Sequence, residues 1–333
     1  MRKRMGGAIS RGVVITVILG ASAFTAVRAR LEAAQSTGAA PERFGLGVFT
    51  TEAWDFFVAF TPDQRTAYFG RANGSFSYFT ILETQQRNGR WSPPETAPFS
   101  GRWSDADPHV SPDGSKLFFI SNRPLTGDSA RADYEIWVVD RQPNGSWSEP
   151  RHLPAPVNLD GVTEWSPSVA SNGNLYFGAV RAGGKGGNDL FVARWNGTAY
   201  GEPENLGDSI NTARGEVEPW IAPDESYMIF SGQNRTDGLG GFDLYVAERR
   251  GGVWQKARIL PPPINSVAGD FNQSVSPDGK WLYFSSTRSV FDTIPKRRLT
   301  YSEIQRRLTT SGNGLGDIYR VPMSAIIKYL LGQ

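Results

Sequence analysis

The chain has 333 residues, with 35 Lys+Arg against 33 Asp+Glu, two His and no Cys. Without Cys there is no disulfide, thiolate metal site, iron–sulfur ligation or cysteine nucleophile, and two His leave little for a His-based metal centre. Thirty-seven Gly, 22 Pro and 12% aromatic residues favour many short strands and tight turns over long helices.

The first 29 residues hold Arg2, Lys3, Arg4, Arg11 and Arg28 and no acid, and Gly12 to Val27 is an uncharged, mostly apolar run. A basic start, a short apolar run and small residues around Val27-Arg28-Ala29 predict a signal peptide over 1–29, cleaved after Ala29. The protein is then periplasmic or secreted. The alternative is an uncleaved membrane anchor, although the run is short for a span of ~20 residues. Residues 30–40 read as a flexible leader. Residues 30–288 carry a net −7 and residues 289–333 a net +4, so the overall +2 gives no support for a nucleic-acid partner.

A motif then recurs five times: FTPDQRTAYF (60–69), VSPDGSKLFF (110–119), VASNGNLYF (169–177), IAPDESYMIF (221–230) and VSPDGKWLYF (275–284). Each copy is a strand, a tight turn and a second strand. An Arg follows, then a polar loop, then a third strand such as YEIWVVD (134–140) or DLYVAE (243–248). A turn with an aromatic residue (Trp91, Trp147, Tyr200, Trp254) leads into a Pro-containing fourth strand. Four strands per repeat, joined by hairpin turns, predict an all-β propeller of five four-stranded antiparallel blades over 41–322. The fifth repeat lacks its fourth strand. Residues 41–55 resemble the segment 203–216 in pattern, so the N-terminal strand is expected to close the last blade and leave no open sheet edge. Six blades is the alternative, if 289–316 holds another. That stretch reads instead as an insertion with a small helix, since Thr300 and Glu303 form a capping box ahead of Ile304 and Leu308. Residues 323–333 form an apolar tail.

SPDG followed by LYFSSTR (276–288), GGFDLY (240–245) and the Pro-rich NLG and PPINS segments resemble the WD40-like repeats of TolB-type propellers across about 41–322. The resemblance implies a propeller of a kind found in periplasmic proteins, in longer envelope proteins or fused to peptidase domains. It transfers no catalytic residue, because the repeat motif is structural.

The strand before each turn is expected to line the central channel. Positions are counted back from Pro62, Pro112, Ser171, Pro223 and Pro277. Position −7 is acidic in every repeat: Asp55, Asp105, Glu164, Glu216 and Asp270. Strict alternation would aim −7, −5 and −3 into a wet channel, placing seven carboxylates there, Asp107 and Glu218 at −5 included. Five like charges in one layer need counter-charge, and each repeat offers an Arg shortly after the turn: Arg71, Arg123, Arg181, Arg235 and Arg288. Cross-strand acid–Arg pairs then hold the hairpins; free acids would instead bind a channel cation or a basic or polyhydroxylated ligand.

The residues that break the repeat pattern, Asp107, His109, Glu218, Trp220, Trp54 and Phe57, are expected to decorate one mouth of the channel as the ligand site. No nucleophile elbow or phosphate-binding loop is present. His152 is expected on an outer strand, and Asp189, Asp243 and Asp317 as caps of the third strands or as partners of the repeat's Arg. The sequence favours a non-enzymatic, monomeric module that binds a protein or a small polar or carbohydrate ligand and needs no cofactor or metal. Two alternatives stand. One is a glycoside hydrolase using Asp55, Asp107 and Glu218, with Trp54, Trp103 and Trp220 stacking on sugars. The other is an envelope scaffold that makes contact through the basic insertion (Lys296, Arg297, Arg298, Arg306, Arg307).

Overall fold

The computed structural model describes residues 40–331. The expected signal peptide and leader, up to residue 39, lie outside the described residues, as do residues 332–333. Strand β1 (Glu42–Arg43) is separated by a short loop from blade one, which is β2 (Trp54–Phe60), β3 (Thr66–Ala72), β4 (Phe79–Arg87), β5 (Arg90–Trp91) and β6 (Glu95–Thr96). Blade two is β7 (Asp105–Val110), β8 (Lys116–Ser121), β9 (Glu135–Asp140) and β10 (Arg151–His152). Blade three is β11 (Glu164–Val169), β12 (Leu175–Ala179), β13 (Asp189–Ala193) and β14 (Glu204–Asn205). Blade four is β15 (Gly215–Ile221), β16 (Tyr227–Gln233), β17 (Phe242–Arg250), β18 (Val253–Trp254) and β19 (Arg258–Ile259). Blade five holds β20 (Asp270–Val275), β21 (Trp281–Ser286) and β22 (Asp317–Pro322). All five sheets are antiparallel meanders.

Blade five takes β1 as its outer strand, with Glu42 opposite Arg320 and Arg43 opposite Tyr319. Phe44 and Phe49 follow and pack between the last blade and the first, against Tyr283, Phe60, Phe69 and Trp91. The ring is thereby closed by the chain's two ends, and the propeller has five blades. The segment 289–316 is an insertion between β21 and β22 that carries helix α1 (Tyr301–Leu308). Its capping box is present, with Thr300 accepting from Glu303 N–H and the Glu303 side chain accepting from Thr300 N–H. No residue of α1 is buried. The C-terminal residues form a second helix, α2 (Met323–Leu331).

The repeated motif is legible as chemistry. In the first, second and fifth turns a hydroxyl of the residue before Pro donates to the Asp after it: Thr61 to Asp63, Ser111 to Asp113 and Ser276 to Asp278, each 2.6 Å. These bonds hold the carboxyls of Asp63, Asp113 and Asp278 below the ordinary range. Asp189, Asp243 and Asp317 accept backbone N–H groups from the loops just before them, at Lys185, Leu239 and Gly312. Those loops press on the next blade. A Cβ on Gly186 would stand 2.2 Å from Arg214 O, and one on Gly240 2.0 Å from Ala268 O. Only Gly permits such backbone approach.

A buried Asn clasps the third strand in three blades. Asn158, Asn211 and Asn265 each accept from, and donate to, one residue's backbone, that of Ile136, Leu190 and Leu244. These are the Asn residues of the NLD, INT and INS segments. They satisfy strand groups at the point where the short outer strand has ended. In blade five Thr50 does the same for Ile318.

Candidate functional site

The inner strands are not regular. Between positions −6 and −3 the register of every inner strand against its neighbour slips by one residue. In each blade the residue at −5 has positive φ: Phe57 (46°), Asp107 (54°), Ser166 (50°), Glu218 (58°) and Asn272 (51°). This is a β-bulge repeated five times around the axis, and left-handed backbone at non-Gly residues is strained.

The bulge overturns the expected channel face. Asp105 pairs with Ser121 and His109 with Phe118: five residues on the inner strand against four on the second. Paired residues share a face, so −7 and −3 point to opposite sides. The five −7 acids therefore do not line a wet channel. Each is 0% exposed. Each is bonded to its own repeat's arginine: Asp55–Arg71 at 2.6 Å, Asp105–Arg123 at 2.7 Å, Glu164–Arg181 at 2.6 Å, Glu216–Arg235 at 3.4 Å and Asp270–Arg288 at 3.1 Å. The acids also hold the segment entering their strand: Thr51, Thr212 and Ser266 donate N–H groups to Asp55, Glu216 and Asp270. Burial pushes all five carboxyls above their ordinary range, against the downward pull of these partners. Asp55, in this ring, is not available to attack or to take a proton from a substrate.

Asp107 and Glu218 differ. Neither has an ion-pair partner among the described residues. The Asp107 carboxylate accepts from Ser166 Oγ at 2.6 Å across the blade two–three seam. Glu218 accepts from Asn272 N–H (2.7 Å), Asn272 Nδ2 (2.8 Å) and Ser231 Oγ (2.7 Å). Burial raises Asp107 to about 6 and Glu218 to about 7, and Asp107's charge adds to the rise at Glu218. Two carboxyls thus stand in the bulge layer without an arginine, with Asp107's charge felt at Glu218.

The next layer, at −3, holds Ala59, His109, Ser168, Trp220 and Ser274. Three of these seal neighbouring blades: His109 Nε2 accepts Val169 N–H (3.0 Å), Ser168 Oγ accepts Ile221 N–H (3.0 Å) and Ser274 Oγ donates to Val58 C=O (2.5 Å). Accepting at Nε2 places the histidine's proton on Nδ1. Burial drops His109 to about 4, so it is neutral. Beyond this layer the ring opens as a funnel of about 460 Å³ at the turn end, walled by all five inner strands, with Phe57, His109 and Trp220 among its lining.

Of the six residues expected at one mouth, the funnel brings Phe57, His109 and Trp220 together, and Asp107 and Glu218 occupy the bulge layer, on the same residue level as Phe57. Trp54 does not join them. It starts β2 at the opposite end of the ring, against Phe76 at 4.9 Å. Trp103 lies just before β7, stacked by Arg102 at 4.9 Å, so it is not on the funnel either. His152 is on β10, half-buried, with Nε2 3.0 Å from Glu135 Oε2. Ser166, Ser231 and Asn272, which position the two carboxylates, were not expected. For Ser166 the signal was the proline that follows it at −4, as at Pro108 and Pro219, because an inner strand accommodates Pro only at a bulge; Asn272, followed by Gln273, and Ser231, on the second strand, carried no such signal. Among the described residues no group of three or more His, Asp or Glu is placed to hold a metal ion.

No family model matches the chain, and no curated protein matches it. Solved structures do. The chain is similar to a thermostable family-43 glycoside hydrolase (14% identity, TM-score 0.50, covering 84% of this chain and 92% of that one). It is also similar to an α-L-arabinofuranosidase from Lactobacillus brevis (12%, 0.47, 83% and 92%) and to a puromycin-hydrolyzing peptidase of Mycobacterium tuberculosis (13%, 0.41, 70% and 34%), of whose length it spans about a third. Identities this low speak for fold and not for chemistry: the protein is a five-bladed β-propeller closed by its own N-terminal strand.

Proposed function

We propose that the funnel at the turn end binds a small polyhydroxylated ligand such as an oligosaccharide. The observation that carries this is the pocket of about 460 Å³ walled by all five inner strands, with one indole, one neutral imidazole, two phenyl rings and one phenol (Trp220, His109, Phe57, Phe60, Tyr227) in its lining. Its size falls within the range of small-molecule sites, and its mixture of aromatic and sparse polar groups suits a ligand with hydroxyls on an apolar ring face. Trp220, 8% exposed, and the Tyr227 ring beside it at 5.7 Å supply the apolar face, and the carboxylates of Asp224 and Asp278 at the rim supply polar contacts. Calorimetric titration with a panel of neutral and acidic oligosaccharides tests the proposal. Trp220→Ala should weaken the binding partner found by roughly thirtyfold, the effect of truncating a central aromatic anchor. Unchanged affinity in that variant would overturn it.

A second reading, hydrolysis of a glycosidic bond, is favoured by the two carboxyls without arginine. Glu218, raised to about 7, would keep the proton and act as general acid, and Asp107, raised to about 6, would be the base or nucleophile. Release of nitrophenol from aryl glycosides, abolished in Glu218→Gln and in Asp107→Asn, supports it; no release from the wild type sinks it. The basic, then apolar, N-terminal segment supports a periplasmic or secreted setting. A mature terminus at Arg30, read by N-terminal sequencing of exported protein, is the expected outcome. The kinship with TolB-type repeats rests on the shared motifs.

A further inference from the structure

Each blade meets the next along a cleft on the turn face, and the repeat makes the five clefts comparable residue by residue. One wall is built by the second-strand residue opposite position −3: Tyr68, Phe118, Tyr176, Ile229 and Tyr283. The other is the aromatic residue of the next blade's outer turn. Between blades one and two, Trp147 fills the cleft and donates its Nε1–H to Tyr68 OH at 2.8 Å. Between blades three and four, Trp254 meets Tyr176 edge-on at 6.4 Å. Between blades five and one, Phe60 lies between Tyr283 and Trp91, at 4.9 and 6.0 Å.

Blade five has no turn aromatic, and its cleft with blade four is filled by α2 instead. Met323 and Ile326 are buried in one cluster with Ile229, Val246, Leu260 and Val275. Tyr329, one further turn along, lies against the Arg258 guanidinium at 5.2 Å. The helix thus presents apolar residues at i and i+3 and an aromatic ring at i+6 to the cleft.

The blade two–three cleft is the exception. Its wall residue is Phe118, with no hydroxyl to bond. Its turn aromatic is Tyr200 in place of Trp, turned onto Trp195 at 4.9 Å. A cavity of about 540 Å³ remains, with more apolar than polar lining. That lining repeats the walls that receive α2. Val138 stands for Val246, each opposite the wall residue of its own blade. Arg151 stands for Arg258, each opposite that valine. Leu153 stands for Leu260, and each donates its N–H to the third strand.

We propose that the blade two–three cleft docks a short apolar helix of a partner protein, with large aliphatic residues at i and i+3 and an aromatic residue at i+6 that stacks on Arg151. The chemistry of the occupant is read from α2, which this chain places on the same set of walls one repeat pair away. Docking of this kind is burial of one apolar helix face in a preformed groove. The site adjoins the funnel at Ser111, Pro112 and Val169 but uses neither Trp220 nor the two bulge-layer carboxylates.

A fluorescein-labelled peptide of the α2 sequence, PMSAIIKYLL, titrated against the full chain by anisotropy, tests the proposal. Saturable binding is expected. Ala199→Arg sets a large side chain on the rim at an exposed position and should weaken binding about tenfold or more, with an unchanged melting temperature. Arg151→Ala should weaken binding of this peptide and leave a peptide with Leu in place of the Tyr unaffected. Hydrogen exchange should slow at 151–155 and 195–200 on peptide addition. Binding untouched by Ala199→Arg, or faster exchange at 323–331 on peptide addition, would show the peptide displacing α2 and overturn the proposal. So would concentration-dependent dimerisation of the full chain that Ala199→Arg abolishes, because the occupant would then be a second copy.

Discussion

Replacing Glu218 by Gln should flatten the pH dependence of stability. The carboxyl moves from an ordinary 4.5 to about 7 in the folded state, and each unit is worth ~1.4 kcal/mol. The folded value is the higher, so the folded state holds the proton more tightly. The group's contribution is present below pH 4.5 and is lost as pH rises through 7, a loss of about 3 kcal/mol. Gln keeps an acceptor for Asn272 N–H and has nothing to ionise. The stability of the variant relative to wild type should therefore climb by about 3 kcal/mol between pH 4.5 and pH 8, or roughly 6 °C in Tm. Asp107 titrates with Glu218 as a pair, so the double variant with Asp107→Asn should flatten the curve further. The assay is urea unfolding at half-unit pH intervals. If wild type and variant run parallel across that range, Glu218 is ionised throughout and the account of a dehydrated, unpaired acid is wrong.

Other variants probe the frame that positions the site. Arg123→Met strands the Asp105 carboxylate, 0% exposed, and should cost about 3–5 kcal/mol, most of it recovered by adding Asp105→Asn; a loss below about 1 kcal/mol by calorimetry would contradict the buried pairing. Asn211→Ala removes the acceptor of the Leu190 N–H, while the Leu190 carbonyl keeps the Leu206 N–H, and should cost roughly 1–3 kcal/mol in chemical denaturation. Phe49→Ala, at the seam that closes the ring, should cost about 3–5 kcal/mol and raise amide exchange in β1 ahead of the other blades; uniform exchange would argue against closure by the N-terminal strand.

Much of the fold was legible because the repeat is chemical as well as hydrophobic. The Ser/Thr-Pro-Asp turns, the acid at −7 and the following Arg recur in sequence because each hairpin must satisfy the same buried groups. The missing fourth strand of the last repeat pointed directly to β1. The side-chain directions were less legible. Alternation is a rule for regular strands, and a bulge at −5 reverses it for everything on one side. Phe57, Asp107, Ser166, Glu218 and Asn272 share no residue type that announces left-handed backbone, and only the prolines at −4 hinted at it. The five acid–arginine pairs were expected and are present; the irregularity turned them away from the channel and left Asp107 and Glu218 apart from them. The site also depends on contacts between blades, such as Ser166 to Asp107 and Asn272 to Glu218, over 50 residues apart in sequence, and no local pattern encodes those. Trp54 illustrates the same limit: its distance from the turn placed it at the far end of the ring, although composition grouped it with Trp220.

The central claim, that the funnel over the two unpaired carboxylates is where the ligand sits, is tested most directly by hydrogen exchange of the protein saturated with the oligosaccharide found by titration. The account predicts protection at 57–60, 109–112, 220–227 and 274–279, four of the five wall segments of the funnel. Protection confined to the opposite end of the ring, around Trp54 and Trp103, or to the insertion 289–316, would contradict it.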